Sequence, residues 1–228
     1  VLLCNATAAT GIYALPRRDA LPISSVKPGA EVVIVGGGLL GIELADAMND
    51  IGAHCTLIHR SAALMRGVID ETASGLLQGV LEDRDIKLLM RDGVVRYYGD
   101  DSITGLQTHS GQRLSCDMVC IATGITPNVE LARTSGLNVR RGVVVDAMLR
   151  TSDPAIYAIG EVAEVHTTVY GTTSAAQEQA RTAAACISGD YAESYGGTTP
   201  MSILKIRDFR SEEHTSELQS RRKLGCRL

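Results

Sequence analysis

Residues 31–60 read EVVIVGGGLLGIELADAMNDIGAHCTLIHR, and the order of residue types in this stretch decides the fold. Glu31 to Gly36 is a run of β-branched residues followed at once by glycines, the signature of a buried parallel strand entering a tight turn. Leu39 to Ile51 then reads as a helix: Leu40, Leu44, Ala47 and Met48 recur at helical spacing, and Gly52 closes it. Cys55 to Ile58 follows as a second short strand. A strand, a helix and a strand in so short a stretch imply a right-handed crossover and adjacent parallel strands.

The glycines carry chemistry. Gly36-Gly37-Gly38-Leu39-Leu40-Gly41 satisfies G-x-G-x-x-G between a strand and a helix N-terminus, and that position separates it from an ordinary glycine turn. Gly36 permits the sharp bend, Gly38 lets backbone approach a pyrophosphate, and Gly41 lets helix and strand pack closely. Free N–H groups at the helix start, on Leu39, Leu40 and Gly41, meet the negative charge. A nicotinamide dinucleotide is the expected ligand. The pattern expects an acidic residue about twenty positions on to hold the adenosine ribose, yet this chain has His59 and Arg60 there. An arginine pairs with a 2′-phosphate through its guanidinium fork, so the site leans toward NADPH over NADH. Read instead as a solvated residue stacked over the adenine, Arg60 leaves NADH open.

Further along, Asp70 to Leu81 reads as a helix and Ile86 to Met90 as a strand. Three β-rich runs between Val94 and Thr123 (VVRYY, SITGLQT and DMVCIAT) are separated by GDD and HSGQ, the pattern of a small antiparallel meander lying across the parallel sheet. Val143 to Asp146 and Ile156 to Ile159 read as strands, and Ser174 to Ile187 as an alanine-rich helix ending at Gly189.

With 228 residues, 45% hydrophobic content and a formal charge of −4, the chain belongs to the ordinary globular class. It has no basic stripe before its C-terminal end, so nucleic acid and anionic membrane surfaces are not expected partners. Its six cysteines form no C-x-x-C pair or zinc-ribbon spacing, which points to a reducing, cytoplasmic setting. Cys116 and Cys120 fall four apart in an apolar run, where both would face one side of a strand as small buried hydrophobes. His54 and His166 lack a second ligand at metal spacing, so no metal site is expected. No stretch approaches the roughly 18 apolar residues of a membrane span, and no signal pattern opens the chain; a soluble protein is expected.

VVIVGGGLLGIELADAM, IATGITPN and TSDPAIYAIGEVA occur in this order between residues 32 and 163. Together they resemble the pyridine nucleotide-disulfide oxidoreductase superfamily, above all its rubredoxin and ferredoxin reductases and the flavin module of assimilatory nitrite reductase. The resemblance implies an α/β fold: a Rossmann-like nicotinamide-binding domain of parallel sheet plus meander, with part of an FAD-binding domain. It implies that Ala122-Thr123-Gly124 is a second turn passing near the dinucleotide. It also implies that Gly160-Glu161-Val162-Ala163 is a flavin signature, with Glu161, where most relatives have Asp, accepting hydrogen bonds from the ribityl chain. Glu43, by the same resemblance, faces the nicotinamide and flavin rings. Hydride transfer between stacked rings needs no acid or base from the protein, so no catalytic residue is named.

The implied organisation is a connector over 1–28, a NAD(P)-binding domain over 29–124, the C-terminal part of an FAD domain over 125–205, and a tail over 206–228. Within that tail RSEEHTSELQS, Arg210 to Ser220, resembles a translated sequencing-library adapter, as DALPIS, Asp19 to Ser24, does for the opposite adapter. Only GIYALPRR, Gly11 to Arg18, resembles the family's connector, the first flavin-binding glycine unit is missing, and MSILK would open an interface domain. The chain therefore reads as a fragment. Its parent is expected to move hydride from NAD(P)H to FAD, and electrons on to a rubredoxin, a ferredoxin or a fused redox module. The fragment alone is expected to bind FAD poorly and to be inactive. The alternatives are a non-catalytic NAD(P)-binding or sensing module and an assembly fragment without function.

Overall fold

The computed structural model describes the backbone of residues 2–3 and residues 26–192, 194–199 and 204–207. The connector motif, both adapter-like stretches and most of MSILK lie outside the described residues. The described chain divides at Gly124 and Ile125 into two compact units, and residues 204–207 belong to the first.

The first unit is built on a five-stranded sheet in the order β1-β8-β2-β3-β4. Its strands are β1 (Leu2–Leu3), β2 (Glu31–Val35), β3 (His54–His59), β4 (Lys87–Met90) and β8 (Met118–Ile121). All neighbours in it run parallel. Successive residues of β2 serve opposite faces, as the pleat requires. Val32 and Ile34 join Leu57, Cys55 and Cys120 beneath α1 (Leu39–Asp50) and α2 (Glu71–Glu82), while Val33 joins Ile58, Val119 and Leu106 on the other side. A parallel sheet buried on both faces explains why these strands are nearly continuous in apolar residues. Both helices end close to where the sequence places them, α2 being capped by the Asp70 carboxylate, which accepts the Ala73 N–H at 2.7 Å.

The other face is covered by an antiparallel sheet of β5 (Val94–Tyr98), β6 (Gly105–Thr108) and β7 (Arg113–Ser115). This corrects the expected meander, whose third strand is Arg113–Ser115 and not DMVCIAT. Met118–Ile121 leaves the meander and pairs with β2 in parallel, Val32 opposite Met118 and Val35 opposite Ile121. The reason is legible in hindsight: MVCI is apolar at every position and suits two-sided burial, whereas RLS alternates. Asp117 makes the transfer, its N–H donating to the Glu31 carbonyl and its carboxylate accepting the Glu31 N–H. The same break overturns the expected pairing of Cys116 and Cys120 on one strand face. Cys116 precedes β8 and joins the core under the meander; Cys120 joins the core under the helices.

The second unit holds α3 (Glu130–Thr134), a sheet of β9 (Val143–Val145), β10 (Ala163–Val165) and β11 (Thr168–Val169), and α4 (Thr173–Ile187). Ala175, Gln179, Ala183 and Cys186 form the buried face of α4. Ile156 to Ile159, expected as a strand, is irregular. Only Tyr157 makes a bridge, to Arg150, and Ile156 and Ile159 are 41% and 39% exposed, so their β-branched character marks no core here.

Leu204 to Arg207 lies against the first unit. Ile206 is buried in the core under the helices with Leu204 beside it, the Lys205 N–H donates to Glu43, and the Arg207 N–H donates to Asp46. Ile206 and Arg207, read from the sequence as tail, are thus integral to the packing of α1. No helix among the described residues is long and apolar enough to cross a membrane.

Candidate functional site

The glycine bend lies at the C-terminal ends of the parallel strands, between β2 and α1, where ligands of open parallel sheets bind. Each glycine of the motif has a distinct steric reason. Gly36 has φ +124°, and a Cβ there would stand 2.2 Å from the Ala122 carbonyl oxygen. A Cβ on Gly41 would stand 1.9 Å from the Gly36 oxygen, so β2 and α1 can approach only because both side chains are missing. Gly38 faces open space, with nothing within 4 Å of a built Cβ. The first helical hydrogen bond runs from the Ile42 N–H to the Gly38 carbonyl at 3.0 Å, which leaves the amides of Leu39, Leu40 and Gly41 without a carbonyl partner. No side chain caps this end either. The bend is therefore a set of unshielded donors at the positive end of a helix dipole, beside an open approach, an arrangement whose electrostatics favour an anion.

The loop after β3 holds the bend from behind. Gly37 donates its N–H to His59 Nδ1 at 3.0 Å and accepts the Met65 N–H at 2.8 Å. His59 is half-buried, and burial first, with the Arg60 charge assisting against the weaker pull of the Ala63 backbone, lowers its pKa below the ordinary histidine value. Arg60 is exposed and makes no ion pair among the described residues; its side-chain stem passes 3.4 Å from a Cβ built on Gly93. Behind it Asp92, buried, accepts the N–H groups of Gly93 and Ser110 and the Ser110 hydroxyl. Burial pushes the Asp92 carboxyl up, but the Ser110, Gly93 and Thr108 donors outweigh it and bring its pKa to about 2.

The approach of Gly36 to the Ala122 carbonyl brings the second predicted turn beside the first. Thr123 and Gly124 follow as exposed residues, Gly124 with φ +103°. Glu43, half-buried one turn into α1, is occupied: Oε1 accepts the Lys205 N–H at 2.9 Å.

In the second unit, Gly160–Val162 form a short 3-10 turn, Gly160 having φ +77°. The Gly160 N–H donates at 2.6 Å to Oε1 of Gln179, a fully buried side chain of α4 whose Nε2 has no partner among the described residues. Glu161 is exposed and Ala163 is fully buried in β10. The buried carboxylate nearby is Glu164, which accepts the Gly142 N–H and pairs with Arg140, so it is structural. Gln179 and the Ala63–Met65 loop escaped the sequence reading because a polar residue in an alanine-rich helix and a short loop look like surface.

Cys55, Cys116, Cys120 and Cys186 are buried; burial raises the thiols of Cys55 and Cys116 to about 12 and about 11, which makes them poor nucleophiles. No group of acidic, histidine or cysteine side chains among the described residues is placed to hold a metal.

Residues 8–180 match the model of the pyridine nucleotide-disulphide oxidoreductase family. The chain is 37% identical over 176 residues to the assimilatory nitrate reductase electron transfer subunit of Bacillus subtilis strain 168, covering 77% of this chain and 23% of that protein. It is 34% identical over 184 residues to the nitrite reductase [NAD(P)H] of the same organism, covering 81% of this chain and 23% of the relative. Among solved structures, the covalent putidaredoxin reductase–putidaredoxin complex superposes with a TM-score of 0.77 at 26% identity, covering 83% of this chain and 48% of the other. The chain thus spans about a quarter of the length of these two curated relatives, at 23% in each case. A strand-to-helix glycine bend, a second turn against it and a family match over most of the chain agree: this protein belongs to the pyridine nucleotide-disulphide oxidoreductase family.

Proposed function

We propose that this chain forms the pyridine-nucleotide-binding part of a flavin-dependent oxidoreductase. The whole protein takes hydride from NAD(P)H and passes electrons to an acceptor protein or a fused redox module. The observation that carries this reading is the row of unshielded amides on Leu39, Leu40 and Gly41, with open space at Gly38. Those amides hold the pyrophosphate, Thr123 and Gly124 border it, and Arg60 reaches the adenosine end. In the second unit, the turn at Gly160–Val162 and the exposed Glu161 carboxylate suit the phosphate and ribityl portions of FAD. Flavin, when bound, supplies the hydride acceptor; the protein binds, orients and excludes water. The names of the relatives, an electron transfer subunit and a reductase bound to its putidaredoxin, support an acceptor protein or module as the next partner. Cys55, Cys116 and Cys186, buried as free thiols, suit a reducing, cytoplasmic location.

Arg60, exposed and unpaired, favours NADPH over NADH. Titrating the chain with both coenzymes, with Arg60→Glu alongside, tests the site and its preference together. NADPH affinity is expected to fall about tenfold or more in Arg60→Glu, since a charge-assisted pair is exchanged for repulsion, and NADH affinity to change little. Equal preference in both proteins refutes the role of Arg60. Absence of saturable binding of either coenzyme refutes the site.

A further inference from the structure

The position that ordinarily carries a ribose-binding carboxylate holds His59, and its ring turns inward. Its Nδ1 takes the Gly37 N–H at 3.0 Å, and its Nε2 is buried without a hydrogen-bond partner among the described residues. A Cβ built on Gly37 would stand 2.7 Å from the His59 Cγ and 2.6 Å from Leu64, so ring and leucine fill the space behind that peptide. The Gly37 carbonyl is held from the same side by the Met65 N–H at 2.8 Å. The next carbonyl along, that of Gly38, begins the hydrogen bonding of α1. The orientation of the Gly37 peptide therefore sets the aim of the amides that follow it.

We infer that His59 is a positioning residue for dinucleotide binding: as a neutral ring it accepts the Gly37 N–H and holds the glycine bend open to a pyrophosphate, and as a cation it releases the bend. The inference rests on the reading of this bend as a dinucleotide site. An Nδ1 that accepts must be unprotonated, with the ring proton on Nε2. Protonation sets N–H against N–H across the same 3.0 Å, in a space too filled for the ring to swing clear. Around the ring the Ala63 backbone favours the cation, and burial outweighs it. Residues 36–42 and 61–65 carry no charged side chain, and Arg60 is adjacent and repulsive. The β4–β5 turn carries Arg91 and Asp92, but the Asp92 carboxylate is spent on Gly93 and Ser110. Burial, assisted by Arg60 and opposed by the Ala63 backbone, holds the ring below its ordinary pKa, so the accepting form prevails at neutral pH.

If only the neutral-ring form binds, the apparent dissociation constant rises about tenfold for each pH unit below the His59 pKa. The test is calorimetric titration of the full chain with ADP-ribose, which carries the pyrophosphate but neither an acid-labile dihydronicotinamide nor a titrating 2′-phosphate. It is run from about pH 8 to about pH 5, with His59 followed by NMR in the same samples. Wild type should bind at constant affinity above the His59 titration and weaken along it. His59→Asn, whose amide oxygen sits where Nδ1 did and does not titrate, should bind like wild type at high pH and keep that affinity in acid. His59→Leu should bind at least about tenfold more weakly at every pH, the loss of one buried acceptor, while thermal melting shows it folded. A wild-type affinity that is flat through the His59 titration, or that rises in acid because the ring acts as a cation toward the phosphates, overturns the inference. So does His59→Asn binding as weakly as His59→Leu. If wild type fails to bind ADP-ribose even at high pH, the dinucleotide site itself is lost and the inference with it, an outcome distinct from those three.

Discussion

A methyl group placed on Gly36 and one placed on Gly38 should separate folding from binding. At Gly36 the backbone has φ +124°, and the new carbon would overlap the Ala122 carbonyl oxygen at 2.2 Å. Left-handed strain costs about 1–3 kcal/mol and overpacking against a strand a similar amount. Gly36→Ala should therefore lose about 3–5 kcal/mol, which lowers the melting temperature on the order of 10 °C in a chain of this size. At Gly38 the φ of −88° suits alanine and the carbon enters empty space. The weaker N-cap is offset by a less disordered unfolded chain, and stability should change by less than about 0.5 kcal/mol. Binding should suffer, because the methyl holds the pyrophosphate away from the amides of Leu39, Leu40 and Gly41. Loss of two charge-assisted bonds is about 3 kcal/mol at the low end, or roughly a hundredfold in affinity. Differential scanning fluorimetry and coenzyme fluorescence titration read the two effects. Gly38→Ala binding within a few-fold of wild type would show that the open space is not where the diphosphate lies. Gly36→Ala melting with wild type would show that the close approach to Ala122 does not constrain the fold.

Asp46 is 4% exposed; Arg84 Nε lies 2.7 Å from its Oδ1, off the hydrogen-bonding direction and held by charge, and the Arg207 N–H donates to its other oxygen. Asp46→Ala should cost about 3 kcal/mol in urea unfolding, since Arg84 loses one of its two carboxylate partners in a shielded site; a change below about 0.5 kcal/mol, the range of ordinary surface substitutions, would show the network to be ornamental. Asp92, brought from 3.8 to about 2, stabilises the fold above its unfolded pKa, and that contribution, about 2 kcal/mol, is lost as pH falls from about 4 to about 2. Asp92→Asn should flatten that part of the acid unfolding curve, and an unchanged slope would remove Asp92 as its source. Cys55 and Cys116, buried and raised to about 12 and about 11, should stay unmodified by iodoacetamide in the native chain at mildly alkaline pH and react after denaturation, as peptide mapping reads directly.

Legibility followed the range of the physics. The bend, α1 and the strands beside it were readable because each is set by neighbours in sequence: β-branched residues, glycines, an apolar stripe. The bend at Gly36 and the close helix–strand packing at Gly41 agree with the backbone atoms a Cβ would meet there. DMVCIAT was misplaced because β propensity does not state which sheet a strand joins, and the two-residue crossing at Cys116 and Asp117 lies inside what looks like one apolar run. Ile156 to Ile159 failed for the opposite reason: β-branched residues satisfied by a single bridge need no strand. The inward turn of His59, the occupation of Glu43 by Lys205 and the burial of Gln179 against Gly160 depend on residues 22, 162 and 19 positions away, and no local pattern announces them.

The site divides its work between backbone and side chains, and the two halves should respond to different perturbations. Amide donors do not titrate, and their number is fixed once α1 begins at Leu39, so in the proposed site the donors for a diphosphate come from the glycine bend, while their aim depends on what holds that bend. On the proposed reading the side chains around the bend add conditions to that grip: Arg60 is assigned discrimination at the adenosine end, and His59 is assigned the coupling of the bend's geometry to its own proton. Arg60→Glu should therefore change the ratio of NADPH to NADH affinity without moving the acid limb of ADP-ribose binding, and His59→Asn should remove that limb without changing the ratio. If either substitution moved both quantities, the two side chains would be acting on one shared loop conformation, and the assignment of selectivity to Arg60 and of loop geometry to His59 would fail together.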